Sequence, residues 1–161
     1  MCLVVSYLPF FHLNGQLEQE RPYTNGKLNG EEKMYYENGK LMKVGSYFMG
    51  KPTGIQKNYD TNGIIYQESI YKTMDSATVI FFNNGKISGI MPLVKKRISG
   101  VRKEYYDNGK LQSEATYRND TLDGVMKEYY EDGKVWSVTN YKNGVKVTNI
   151  NYDRNGTKIK Q

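Results

Sequence analysis

Few residues in this chain could carry covalent or metal chemistry. In 161 residues there is one histidine, His12, and one cysteine, Cys2. A lone pair of that kind supplies none of the usual zinc ligand sets, no Cys-His nucleophile and no His-dependent triad. A single thiol forms no internal disulfide and does not mark a redox compartment. The stretch Gly45-Ser46-Tyr47-Phe48-Met49-Gly50-Lys51-Pro52 imitates a phosphate-binding loop as far as its lysine. It then fails at Pro52, where a Ser or Thr hydroxyl would have to reach magnesium. The carboxylates Glu31, Glu32, Glu104, Glu128 and Asp132 stand among lysines and read as surface charge, with no sign of a buried acid pair. The expectation is a protein without catalytic residues, cofactor or metal.

What recurs instead is an aromatic residue four positions before a glycine. The pairs are Phe11/Gly15, Tyr35/Gly39, Tyr59/Gly63, Phe81/Gly85, Tyr105/Gly109, Tyr129/Gly133 and Tyr152/Gly156, with steps of 24, 24, 22, 24, 24 and 23 between successive glycines. Each glycine follows an Asn or Asp, so the chain reads as one tandem array over residues 1–161. With 38% hydrophobic and 13% aromatic residues, it lacks the aliphatic mass of a thick core but has rings enough to cover one face of a sheet. The fold class expected is all-β: an elongated single-layer antiparallel meander of tandem hairpins, about seven units of about 24 residues.

The glycine turn can be read as a two-residue or a three-residue loop. A three-residue loop, a type I turn closed by a left-handed glycine, pairs the residue four before the glycine with the one two after it. That matches Tyr35 with Leu41, Tyr59 with Ile65, Phe81 with Ile87, Tyr105 with Leu111 and Tyr129 with Val135, apolar to apolar. Strict alternation from there puts Tyr23, Tyr47, Tyr71, Tyr117 and Tyr141 on the same face, over the small Gly45, Ser69, Ala115 and Thr139. This is the expected core face. The opposite face would then carry Tyr36, Phe82, Tyr106, Tyr130 and Trp136, either covering lysine stems or forming a partner-binding stripe.

The unit around residues 73–99 breaks the pattern. It loses its Tyr-x-x-Gly turn and gains Pro92 and the basic run Lys95, Lys96, Arg97. Because proline cannot donate to a central ladder, a bulge or longer loop and a kink are expected there. The net charge is +6, but Lys40, Lys86, Lys110 and Lys134 recur directly after turn glycines, which favours solvated turns over a phosphate-seeking patch. The apolar opening, Met1 to Phe11, has no basic leader or small-residue cleavage site, and no stretch approaches the length of a spanning helix. Neither a signal peptide nor a transmembrane segment is expected.

The units Gly30 to Leu41 (GEEKMYYENGKL) and Gly124 to Val135 (GVMKEYYEDGKV), with the half-unit Tyr47 to Gly54, resemble the MORN-repeat variant of bacterial proteins. Many such proteins are grouped as YwqK-like antitoxins. The resemblance implies a non-enzymatic protein that binds and neutralises a toxic partner, and it transfers no catalytic residues. Elsewhere MORN repeats are associated with membrane attachment, lipid binding and scaffolding. The leading expectation is a protein-binding antitoxin or immunity module using Tyr36, Phe82, Tyr106, Tyr130 and Trp136, located in the cytoplasm. The alternative is a membrane-surface or anionic-lipid scaffold using Lys95, Lys96 and Arg97. Nucleic acid is not an expected partner, since the sheet needs its aromatics for itself. Homodimerisation through the apolar first strand, Leu3 to Phe11, is a third possibility.

Overall fold

The computed structural model describes residues 5–159. Among these there are sixteen strands and no helix, arranged as an open antiparallel meander of tandem hairpins. The chain divides into two compact units, Met1–Ala77 and Thr78–Gln161, and the boundary falls inside β8 (Ser76–Asn83). Unit 1 holds β1 (Val5–Phe11), β2 (Leu17–Thr24), β3 (Lys27–Leu28), β4 (Gly30–Tyr35), β5 (Leu41–Phe48), β6 (Lys51–Tyr59) and β7 (Ile65–Thr73). Unit 2 holds β9 (Lys86–Val94), β10 (Arg97–Ile98), β11 (Gly100–Tyr105), β12 (Leu111–Arg118), β13 (Thr121–Tyr129), β14 (Val135–Lys142), β15 (Val145–Tyr152) and β16 (Lys158–Ile159). Sequential strands pair, apart from β3 and β10, which fold back on β2 and β9 as two-residue flaps.

The three-residue loops form as their sequence dictates. In the second, Gly39 N–H donates to the Tyr36 carbonyl at 2.8 Å and Tyr36 N–H donates to the Lys40 carbonyl at 2.9 Å. Gly39 has φ +77°, a conformation that a side chain would strain. The expected pairs Tyr35↔Leu41, Tyr59↔Ile65, Tyr105↔Leu111 and Tyr129↔Val135 all form.

Each of these pairs is followed by a bulge that strict alternation does not foresee. Tyr35 faces Leu41 but Met34 faces Lys43, so Leu41 and Met42 together stand opposite one residue. The same shift follows Tyr59, Tyr105 and Tyr129. One extra residue reverses the side-chain parity of the returning strand. The expected single ring-bearing face is therefore split. Tyr47 lies with Gly45, Glu32 and Lys43 on one face, called A here. Tyr35 lies on the other, B, where its phenol donates to Glu20 at 3.0 Å. Tyr129 likewise donates to Glu114 at 2.9 Å on face B.

Two further expectations change. Asn84 (φ 49°) and Gly85 (φ 76°) form a two-residue turn between Asn83 and Lys86, not a three-residue loop, so Phe81 does not hold the place of Tyr35. Around Pro92 there is no long loop. β9 runs through it to a tight turn at Lys95 (φ 50°) and Lys96 (φ 64°), which reproduces the turn at Asn25 and Gly26. In both places proline accepts a returning backbone N–H, Asn29 to Pro22 at 2.9 Å and Ser99 to Pro92 at 3.1 Å. A glycine passes over each ring: a Cβ on Gly30 or Gly100 would meet proline Cγ at 2.9 or 3.0 Å. The irregular unit is a second copy of the first unit's form, with lysines in place of Asn-Gly.

The interior is thin and mostly polar. Among the described residues Val79 and Ala115 are the buried hydrophobics, while Gln19, Thr24, Glu32, Gln56, Ser69, Ser137 and Thr139 are buried polar residues. Since little apolar surface is hidden, hydrogen bonding between successive hairpins within each unit has to hold them in line. At the Gly39 and Gly109 turns a tyrosine, an asparagine and a lysine reach the backbone of the next glycine turn. Tyr36 donates to the Tyr59 carbonyl at 2.7 Å, Asn38 to Thr61 at 3.0 Å and Lys40 to Asn62 at 3.1 Å. Tyr106, Asn108 and Lys110 repeat this onto Tyr129, Glu131 and Asp132. The repeated Tyr-x-Asn-Gly-Lys phrase is thus a ladder as well as a turn. The second set of turns makes its own ladder, with Gly50, Asp120 and Gly144 donating to the carbonyls of Leu28, Ile98 and Leu122.

Candidate interaction surface

On face B the Tyr35 and Tyr129 phenols are tied to Glu20 and Glu114, whereas face A carries a hollow. In unit 2 its register runs Glu104↔Ser113↔Glu128↔Ser137 across β11 to β14, beside Arg102↔Ala115↔Met126↔Thr139. Because Ser113 and Ala115 are small, longer neighbours rise around a depression. Glu104, Tyr106, Ser113, Glu128, Tyr130 and Trp136 line this hollow, whose volume is about 430 Å³. The Tyr130 and Trp136 ring centroids lie 6.5 Å apart at 47°, and Trp136 stays 38% exposed. The Arg154 guanidinium sits over the Tyr130 ring, 5.0 Å from its centroid.

Unit 1 carries a different cluster on face A. Glu32 is 2% exposed and accepts from Arg21 Nε at 2.7 Å and from Lys43 Nζ at 3.0 Å. Lys43 also donates to the Tyr47 hydroxyl at 2.9 Å and lies 5.5 Å from that ring's centroid. Burial pushes the Glu32 carboxyl up, but the Lys43 and Arg21 cations outweigh it and hold it below the ordinary value. Burial alone would lower the Lys43 ammonium, yet its bonds to Tyr47 and Glu32 raise it. Glu32 is therefore not the surface charge its sequence suggests. It is a buried anion between two cations.

The five aromatics singled out from sequence do not form one stripe. Tyr106, Tyr130 and Trp136 come together, but on the face of Ala115 and Thr139 rather than opposite it. Their tyrosine hydroxyls also serve the ladder, Tyr106 donating to Tyr129 at 2.6 Å and Tyr130 to Tyr152 at 2.9 Å. Tyr36 has the equivalent job in unit 1, and burial raises its phenol pKa. Phe82 lies apart. Phe81, its neighbour, packs 3.6 Å from where a Gly89 Cβ would sit, and Gly89 faces Glu104 on face A, which sends Phe82 to face B. The shorter Asn84-Gly85 turn is the cause.

Sequence reasoning passed over Glu104, Ser113 and Glu128 as parts of a site. Their signal was positional: the two glutamates stand five before Gly109 and Gly133, and the serine four after Gly109. The basic run does stay together, with Lys95, Lys96 and Arg97 all exposed at one turn. Lys40, Lys86, Lys110 and Lys134, by contrast, each donate Nζ to a backbone carbonyl at 2.8–3.1 Å.

The signature of the MORN repeat variant matches residues 9–25, 28–48, 52–73, 98–119 and 122–143. The chain belongs to the MORN repeat variant family. The MORN repeat family is a family of non-enzymatic repeat modules often involved in binding. The matched residues include Pro22 of the first proline flap, while residues 74–97, with Pro92 and the lysine turn, lie outside them. No curated protein is a significant match to the chain. Among solved structures it is similar to TarM, at 13% identity and a TM-score of 0.45, over 60% of this chain and 20% of that one. A TarM mutant from S. aureus in complex with Fondaparinux, alpha-GlcNAc-glycerol and UDP gives the same values. The chain spans a fifth of the length of those structures, and the likeness has no bearing on its function. Among the described residues no helix is long and apolar enough to cross a membrane.

Proposed function

We propose that this MORN chain is a non-enzymatic module that binds a protein partner through face A of unit 2. One observation carries the reading: three aromatic side chains, Tyr106, Tyr130 and Trp136, surround an open hollow, and the largest of them is left 38% exposed. Exposed aromatic anchors in a depression are the usual energetic centre of a protein interface. The resemblance to YwqK-like antitoxins supports the finer reading, in which the partner is a toxin neutralised in the cytoplasm. The experiment is a pull-down with the product of the adjacent gene, followed by affinity measurement on Trp136→Ala. Trp136 is the variant of choice because Tyr106 and Tyr130 also hold the turn ladder. A partner that binds folded Trp136→Ala as tightly as the parent rejects this face.

A second reading, an anionic-membrane adaptor, draws on the turn at Lys95 and Lys96. Both lysines hold left-handed φ where the equivalent turn uses Asn25 and Gly26, and strain kept at an exposed basic turn is a functional signature. Sedimentation with anionic vesicles at low salt, lost in Lys95→Asn with Lys96→Gly, is the result this reading requires. Homodimerisation through the first strand is also testable. β1 ends the strand order, Phe10 is 45% exposed and Phe11 61%, while Leu3 and Val4 lie outside the described residues. Light scattering should then show a mass that rises with concentration.

A further inference from the structure

The two units treat the same register position differently. In unit 1 the face-A row across β4, β5 and β6 reads Met34↔Lys43↔Asn58, with the Lys43 ammonium between the Glu32 carboxylate and the Tyr47 ring. In unit 2 the matching row across β11, β12 and β13 reads Glu104↔Ser113↔Glu128. Carboxylates flank the central position on both sides, but the central residue is a serine and supplies no cation. Glu104 is engaged by Arg102 and by the Ser113 hydroxyl, which donates to it at 3.0 Å. Glu128 has no ion pair or hydrogen bond from a side chain among the described residues. Arg102 engages Glu104 and Arg154 sits over the Tyr130 ring, which leaves Glu128 as the carboxylate in the hollow without a cation of its own among the described residues. Tyr106, Tyr130 and Trp136 add ring faces, and Tyr130 already attracts the chain's own Arg154. Aromatic faces beside an unpaired carboxylate favour a cation over a neutral group.

We propose that this hollow receives one basic side chain, a lysine or arginine, presented by the partner protein. The inference rests on the protein-binding reading above and specifies its chemistry: the partner supplies a cation to Glu128 at the register position where unit 1 carries the Lys43 ammonium. Salt then weakens the contact, because part of the attraction is charge across an open site.

Trp136 is the sole tryptophan, so its emission reports the hollow directly. The full chain is titrated at matched ionic strength with blocked Gly-Lys-Gly, Gly-Arg-Gly and Gly-norleucine-Gly tripeptides. The expected result is a saturable emission change with the lysine or arginine peptide and none with norleucine, weakened about tenfold in Glu128→Gln. Ser113→Lys should abolish the response, since its own ammonium would stand between Glu104 and Glu128. Circular dichroism checks that both variants keep their strands. An equal response to norleucine, no response to either basic peptide, or an undiminished response in folded Ser113→Lys overturns the proposal. If Trp136→Ala still weakens partner binding when the peptides fail, the protein-binding reading stands and only the basic-side-chain inference falls.

Discussion

Glu32→Gln should expose how much unit 1 depends on its buried carboxylate. The side chain is 3% exposed, while the Arg21 and Lys43 side chains paired with it are 32% and 25% exposed. Breaking a fully buried ion pair costs roughly 3–5 kcal/mol, because an uncompensated charge is left behind. Here both stranded cations keep some water, and the glutamine oxygen can still accept one of the two bonds, so the expected loss is about 2–3 kcal/mol. The assay is urea unfolding followed by circular dichroism, with native-state hydrogen exchange at the amides of β4 and β5 to place the loss in unit 1. A double-mutant cycle with Lys43→Met should give a coupling of at least ~1 kcal/mol. The pH dependence has a definite sign. Because the folded carboxyl titrates below its ordinary value of 4.5, its contribution is whole above that pH and is lost as the pH falls through the lower folded value. Glu32→Gln should flatten that acid limb. A variant within ~0.5 kcal/mol of the parent and an unchanged acid limb would refute the clamp.

Tyr130→Phe removes the hydrogen bond to the Tyr152 carbonyl while keeping the ring, and should cost about 1 kcal/mol in thermal or urea unfolding. Gly45→Ala puts a Cβ 2.5 Å from Gln56 Cγ; a loss of about 1–3 kcal/mol is expected, partly recovered by adding Gln56→Ala. Replacing Lys95 and Lys96 by Asn and Gly should stabilise unit 2 by about 1 kcal/mol, since two side chains leave left-handed backbone. The Tyr129 phenol, pushed up to about 12 by burial and then by its bond to Glu114, should ionise last in an ultraviolet titration, and Glu114→Gln should bring it down. A raised phenol value means that stability associated with Tyr129 falls as the pH climbs from about 10 toward 12.

Turn chemistry is local, which is why so much of the architecture could be read directly from residue order. A left-handed glycine after Asn or Asp specifies its loop without reference to distant residues, and the Tyr35↔Leu41 register follows from that loop. The all-β class, the hairpin array, the 24-residue unit and the MORN resemblance all rest on such local signals. The side on which a ring points is a different kind of quantity. It depends on the number of residues between turn and ring, and one bulge residue at Met42 reverses it for every position beyond. Nothing in the identity of Met42 announces that bulge. The hollow is one step further removed: Glu104, Ser113 and Glu128 are ordinary residues until β11, β12 and β13 set them side by side. The burial of Glu32 likewise needs Arg21 from β2 and Lys43 from β5 to converge on it. Residue order determined what each turn must be; only the packed sheet decided which charges meet across it, because cross-strand neighbours are chosen by register and not by sequence distance.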